Sequence, residues 1–122
     1  MKTSLQTLNC RLTGVSPLIL HNGQLANPLN YFSREIKKIS GKRKKTDADF
    51  EAMAKLEFLG SLYVNEGKEI ILPTEGIEAV VNAGARKSKE GKTSQSGVYC
   101  QSSAVLEYKG SKDPEKLWED EK

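Results

Sequence analysis

The stretch IILPTEGIEAVVNAGARK, residues 70–87, decides how this chain reads. Ile70 to Leu72 form a short apolar run. Pro73 closes it, because proline has no N–H for a ladder and cannot continue a strand. Thr74 then caps a helix, and Ile77, Val80, Val81 and Gly84 recur at i, i+3, i+4 and i+7, the spacing of one helix face. Gly84 on that face predicts close approach to a sheet. Arg86 and Lys87 end the helix where cations complement its dipole. A strand that turns directly into an amphipathic helix implies helix packed on sheet, an α+β unit with a small, mainly antiparallel sheet.

Upstream, residues 3–20 (TSLQTLNCRLTGVSPLIL) alternate imperfectly through Leu5, Leu8, Cys10, Leu12, Val15, Leu18 and Leu20. This predicts one long strand, bulged or bent between Gly14 and Pro17. Asn22-Gly23 marks a turn. Asn27 and Pro28 then read as cap and first residue of a helix carrying Leu29, Phe32, Ile36 and Ile39, stopped by Gly41. Thr46 caps a second helix, with Asp47 and Asp49 in its first turn. Its residues DADFEAMAKLEFLGSLYV show one apolar stripe of Phe50, Met53, Ala54 and Phe58, and another of Ala52, Leu56, Leu59 and Tyr63. A helix apolar on most sides is covered on most sides, by this chain or by a partner.

Downstream, SKEGKTSQSG (residues 88–97) has the composition of a mobile loop. VYCQSSAVLEY (residues 98–108) returns to strand patterning, in two parts separated by Ser102-Ser103. The polar, acid-rich tail holds Trp118, which is out of place in a solvated segment and implies docking. The expected organisation is a single domain over residues 1–110, with a helical insertion at about 28–64, followed by an acidic C-terminal tail over 111–122.

The 122 residues carry a formal charge of +3, and 29% are charged, as in an ordinary cytoplasmic protein with one modest core. No apolar run approaches the ~20 residues that span a bilayer. With no signal peptide, Cys10 and Cys100 read as buried free thiols in a reducing compartment. Catalytic chemistry lacks a constellation: His21 is the only histidine and adjoins a turn, so neither a nucleophile–base pair nor a metal site can be assembled, and no cofactor is implied. Gly91-Lys92-Thr93 resembles the end of a phosphate loop, but the first glycine is missing at the required spacing and a helix precedes it.

Charge clustering is the strongest local signal. Lys37, Lys38, Lys42, Arg43, Lys44 and Lys45 form one group, and Arg86, Lys87, Lys89 and Lys92 a second. Both lie at helix ends or in the loops after them, where such clusters neutralise a polyanion backbone. Tyr31, Tyr99 and Tyr108 are candidates for base stacking, whereas Phe32, Phe50 and Phe58 fall on apolar faces and are expected in the core.

LTGVSPLILHNG (residues 12–23), taken with residues 70–87, resembles the RAMP superfamily, the RNA-binding subunits of CRISPR effector complexes. The matching positions are Leu12, Pro17, Leu18 and Gly23, then Leu72, Pro73, Thr74, Ile77 and Arg86; where the family has Gly-Ser-Ser, this chain has Thr74-Glu75-Gly76. The resemblance implies an RRM-like or ferredoxin-like sheet with an inserted helical segment, and such sheets favour single-stranded nucleic acid. Separately, residues 14–30 taken with 41–64 resemble a group of phage and prophage proteins of unassigned role, a likeness that covers residues from about 12 to 110 and implies a phage origin.

The expected function is therefore non-catalytic binding of single-stranded nucleic acid, RNA slightly favoured, through the two basic groups. The alternative is an anti-CRISPR-like protein that imitates a RAMP subunit and occupies a host CRISPR effector subunit. That reading would use Leu56, Leu59, Tyr63 and Trp118 as its contact surface. A homo-oligomer would account for the same apolar residues.

Overall fold

The computed structural model describes residues 4–120. Its elements are a 3-10 turn (Gly23–Ala26), α1 (Tyr31–Ser40), α2 (Asp47–Ser61), β1 (Ile71–Leu72), α3 (Thr74–Lys87), α4 (Gly91–Gly97), β2 (Ala104–Val105) and α5 (Pro114–Asp120). β1 and β2 pair antiparallel, with Ile71 opposite Val105 and Leu72 opposite Ala104, giving a mixed helix-and-sheet fold of the α+β kind. Among the described residues no helix is long and apolar enough to cross a membrane.

Helix α2 is the hub, touching α1, the 3-10 turn and α5. It starts where the sequence places it. The Thr46 hydroxyl accepts from the Asp49 N–H at 3.2 Å, and the Asp49 carboxylate accepts from the Thr46 N–H at 3.0 Å. This reciprocal box satisfies two orphan donors and contributes about 1 kcal/mol. The other end of α2 is satisfied from far away in sequence. The Asn22 N–H donates to Ser61 O (3.0 Å), the Asn22 amide to Leu62 O (3.1 Å) and the Gln24 amide to Gly60 O (2.8 Å). Gly60 is required here: a Cβ at that position would lie 2.5 Å from Leu25 Cδ2 and 3.1 Å from Phe32 Cβ. Among the described residues Leu62 and Ile70 are the buried apolar ones, and Ile70 bridges back to Val64 through the turn at residues 65–69.

Several expectations are corrected. Residues 4–20 form no strand (Thr3 lies outside the described residues), because a strand needs a ladder partner and no backbone hydrogen bond ties this segment to the rest of the described chain. Helix α1 begins at Tyr31, capped by Asn30, whose side chain accepts from the Phe32 N–H. Asn27 instead accepts from the Leu29 N–H at 3.0 Å, which holds residues 27–30 in a turn. The expected mobile loop contains α4, tied to α3 where the buried Ser94 hydroxyl donates to the Asn82 side-chain oxygen at 2.5 Å. Pro73, not Thr74, holds the cap position of α3, and it makes no side-chain capping bond.

The apolar face of α3 is not laid on a sheet. Val80 is 72% exposed, and a Cβ at Gly84 would meet nothing within 4 Å. Phe50 is 57% exposed rather than core, since α2 turns that part of its stripe to solvent. Only β2 is ordered as strand downstream, so Val98 to Cys100 are not. Both cysteines are free, but Cys10 is exposed and Cys100 half-buried, because the expected core strand around Cys10 has not formed. The tail forms α5 and docks on α2 through Trp118 against Phe58 and Lys55 against Glu115 at 2.7 Å.

Candidate nucleic-acid interface

The first basic group lies on the last turn of α1 and the linker into α2. Half of it is already engaged. Lys38 pairs with Glu35 at 2.7 Å, Lys42 pairs with Asp49 at 2.7 Å, and the Lys45 ammonium donates to Lys42 O at 3.0 Å. Together with the Thr46 N–H, the Lys42 ammonium holds the Asp49 carboxyl below its ordinary range. Lys37, Arg43 and Lys44 are exposed, and no acid pairs with them among the described residues. Lys37 also edges an open groove of about 500 Å³ with His21, Leu25, Ile36 and Glu57, where the acid offsets the charge.

The second group is brought together more tightly. Helix α3 ends at Lys87, Ser88 caps it, and Lys89 takes a left-handed conformation with φ of 61°. The Glu90 N–H then returns to Ala85 O at 2.8 Å, and α4 folds back along α3. Arg86, Lys89 and Lys92, with Gly91 and Gln95, line a shallow cleft of about 320 Å³. Gly91 makes room for the arginine, since a Cβ there would lie 2.6 Å from Arg86 Cγ. Lys87 is exposed but does not line the cleft. None of these four cations is paired with an acid among the described residues. The arrangement offers a planar guanidinium fork and two ammonium groups to one anionic oxygen cluster. Gln95 was not singled out from the sequence: it joins the cleft only because α4 forms.

Tyr31 and Tyr99 are well exposed, Tyr31 meeting Phe32 edge-on with centroids 5.3 Å apart. Tyr108 is occupied: Lys112 stands 3.6 Å over its ring, and its hydroxyl donates to Ser111 O at 2.8 Å. Burial pushes the Tyr108 hydroxyl above its ordinary pKa. Leu56 and Leu59 are half-buried on α2, Tyr63 donates to His21 O at 3.3 Å, and Trp118 lies on Phe58. The structure thus gathers Tyr63 and Trp118 into contacts within the chain.

No family model matches this chain, and no curated protein and no solved structure is significantly similar to it.

Proposed function

We propose that this protein binds single-stranded nucleic acid without catalysing a reaction on it, RNA more than DNA, in the cytoplasm of the cell. The observation that carries the reading is the cleft in which Arg86, Lys89 and Lys92 converge with no acid paired to them. Counterion release would drive the binding, with Arg86 gripping a phosphate in two-point fashion and Lys89 and Lys92 neutralising it and its neighbour. Lys37, Arg43 and Lys44 would hold a second stretch of backbone. The exposed rings of Tyr31 and Tyr99 are the surfaces on which bases would stack. On this reading the β1–β2 ladder belongs to an RRM-like sheet, and residues 28–64 are its helical insertion.

Fluorescence anisotropy of labelled single-stranded RNA and DNA, titrated at two salt concentrations, tests it. Binding should weaken steeply with salt. Combined replacement of Arg86, Lys89 and Lys92 by alanine should flatten the log–log salt slope by about two units, as for three lost phosphate contacts on a single strand. No binding at micromolar protein and low salt would sink the reading.

A second reading has its own support. The apolar side chains of residues 5–19 stand in solvent, as expected of a protein that contacts another protein. A phage-encoded inhibitor occupying a CRISPR effector subunit fits that feature. Stable added mass with a purified effector, without salt-sensitive oligonucleotide binding, would favour it.

A further inference from the structure

The accessible surface is 10263 Å², against about 6,500 Å² for a folded monomer of this size. Exposed large apolar residues contribute to it, and six of them fall within one short segment, residues 5–19. Leu5, Leu8, Leu12, Val15, Leu18 and Ile19 all lie mostly in solvent. A surplus of about 3,700 Å² exceeds what one chain contributes to an obligate dimer interface. A single copy therefore leaves exposed what an assembled one would cover.

The same chain carries both halves of a joint. The donor is the extended segment of residues 5–20, in which Leu8, Cys10 and Leu12 alternate with polar Asn9, Arg11 and Thr13, so that one face of a strand would be apolar. The acceptor is β2, which pairs with β1 on one edge and has no strand on the other among the described residues; its Val105 is half exposed. Arg11 already stands 3.5 Å from Glu107, just beyond β2, so opposite charges sit on donor and acceptor. Yet both partners of that ion pair are 86% exposed, and no backbone hydrogen bond follows it. Within one chain the segment lies near the edge without docking on it. Gly14 and Pro17 supply the bend that would let it leave, while Asn22 stays bonded to the end of α2.

We propose that residues 5–20 of one copy add as a strand to the free edge of β2 in a second copy, reciprocally, to give a strand-exchanged homodimer. Main-chain bonds along the edge would supply affinity, and the Leu8, Cys10 and Leu12 face would be buried beside Ala104 and Leu106, the half-buried face of the β2 edge, with Arg11 on the face of Val105 and Glu107. The same Arg11–Glu107 attraction would then act between copies. The proposal is independent of whether the basic cleft takes nucleic acid.

Sedimentation equilibrium on the full chain tests it at micromolar concentration. The expected mass is that of a dimer. The pair of substitutions L8K and L12K should return the monomer mass with the helical circular dichroism unchanged, because these side chains are 85% and 69% exposed in the single chain. Two surface charge reversals provide a second test that cannot disturb the core. R11E alone and E107R alone should each weaken association about fivefold, and mixing the two variants should restore it, since each supplies the other's complement. A monomeric wild type, a dimer indifferent to L8K and L12K, or a mixture no tighter than its components would each overturn the proposal.

Discussion

The indole of Trp118 lies against the ring of Phe58, with centroids 5.4 Å apart and planes inclined at 47°. One ring belongs to α5 and the other to α2, so this contact is what turns an acid-rich tail into part of the body. Lys55 and Glu115 close beside it at 2.7 Å. The aromatic pair supplies area removed from water as well as ring–ring attraction. The ion pair is largely open to solvent and contributes little.

Trp118→Ala should therefore lower unfolding free energy by about 2 kcal/mol, read as a shift in urea midpoint. Lys55→Ala should cost less than about 0.5 kcal/mol. Equal effects from the two substitutions would mean that α5 is held by charge.

Two glycine-to-alanine substitutions should act with opposite signs. At Gly60 the new methyl would meet Leu25 and Phe32 at 2.5 and 3.1 Å, and the strain of about 1–3 kcal/mol outweighs any helix-propensity gain. At Gly84 the space is open, so alanine should stabilise α3 by about 0.5–1 kcal/mol. Thermal midpoints of the two variants against the parent chain decide it.

Acid should loosen the start of α2. The Asp49 carboxyl titrates below its ordinary value of 3.8, chiefly because Lys42 donates to it, with the Thr46 N–H adding to the effect. A depressed pKa in the folded state means that its contribution is fully present above the unfolded value and is lost as pH falls through the folded one. Asp49→Asn should thus be less stable than the parent at neutral pH, and the gap should close below pH 3.8. A gap constant with pH would show that Asp49 acts only as a neutral cap. Denaturant midpoints across that range give the answer.

Lys42 and Lys44 should separate under oligonucleotide titration. Lys44 has no acid partner among the described residues, so Lys44→Ala should reduce the salt slope by about 0.7 while leaving stability alone. Lys42→Ala releases Asp49 and should lower stability as well. Identical behaviour of the two variants would mean that the Lys42–Asp49 pair opens freely in solution.

Much of the fold was legible where the physics is local. Thr46 and Asp49 lie three residues apart and satisfy one another, so the start of α2 could be read from sequence alone. The spacing from Ile77 to Arg86 likewise marked α3. What failed depended on distant partners. Alternation through Leu8, Cys10 and Leu12 becomes a strand only where the segment bonds along an edge, and within one chain it makes no such bonds. The composition of residues 88–97 suggests a loop until Ser94 finds Asn82. For the site, the sequence showed which cations cluster but not which were already taken. Lys42 and Lys38 answer to acids seven and three residues away, whereas Arg86, Lys89 and Lys92 share a cleft only because the left-handed turn at Lys89 folds α4 back.

The amide of Asn22, bonded to Leu62 O, is where chemical ageing of the chain would be felt first by α2. It precedes Gly23, whose backbone N–H could attack the side-chain carbonyl and expel ammonia, closing a succinimide that water would then open to aspartate or its chain-lengthened isomer. In the young protein that amide donates to Leu62 O. In the aged one a carboxylate faces the same carbonyl, a donor exchanged for a second acceptor. Were that exchange to occur, the far end of α2 would lose one fastening, and preparations made from the same sequence would differ in firmness according to their age.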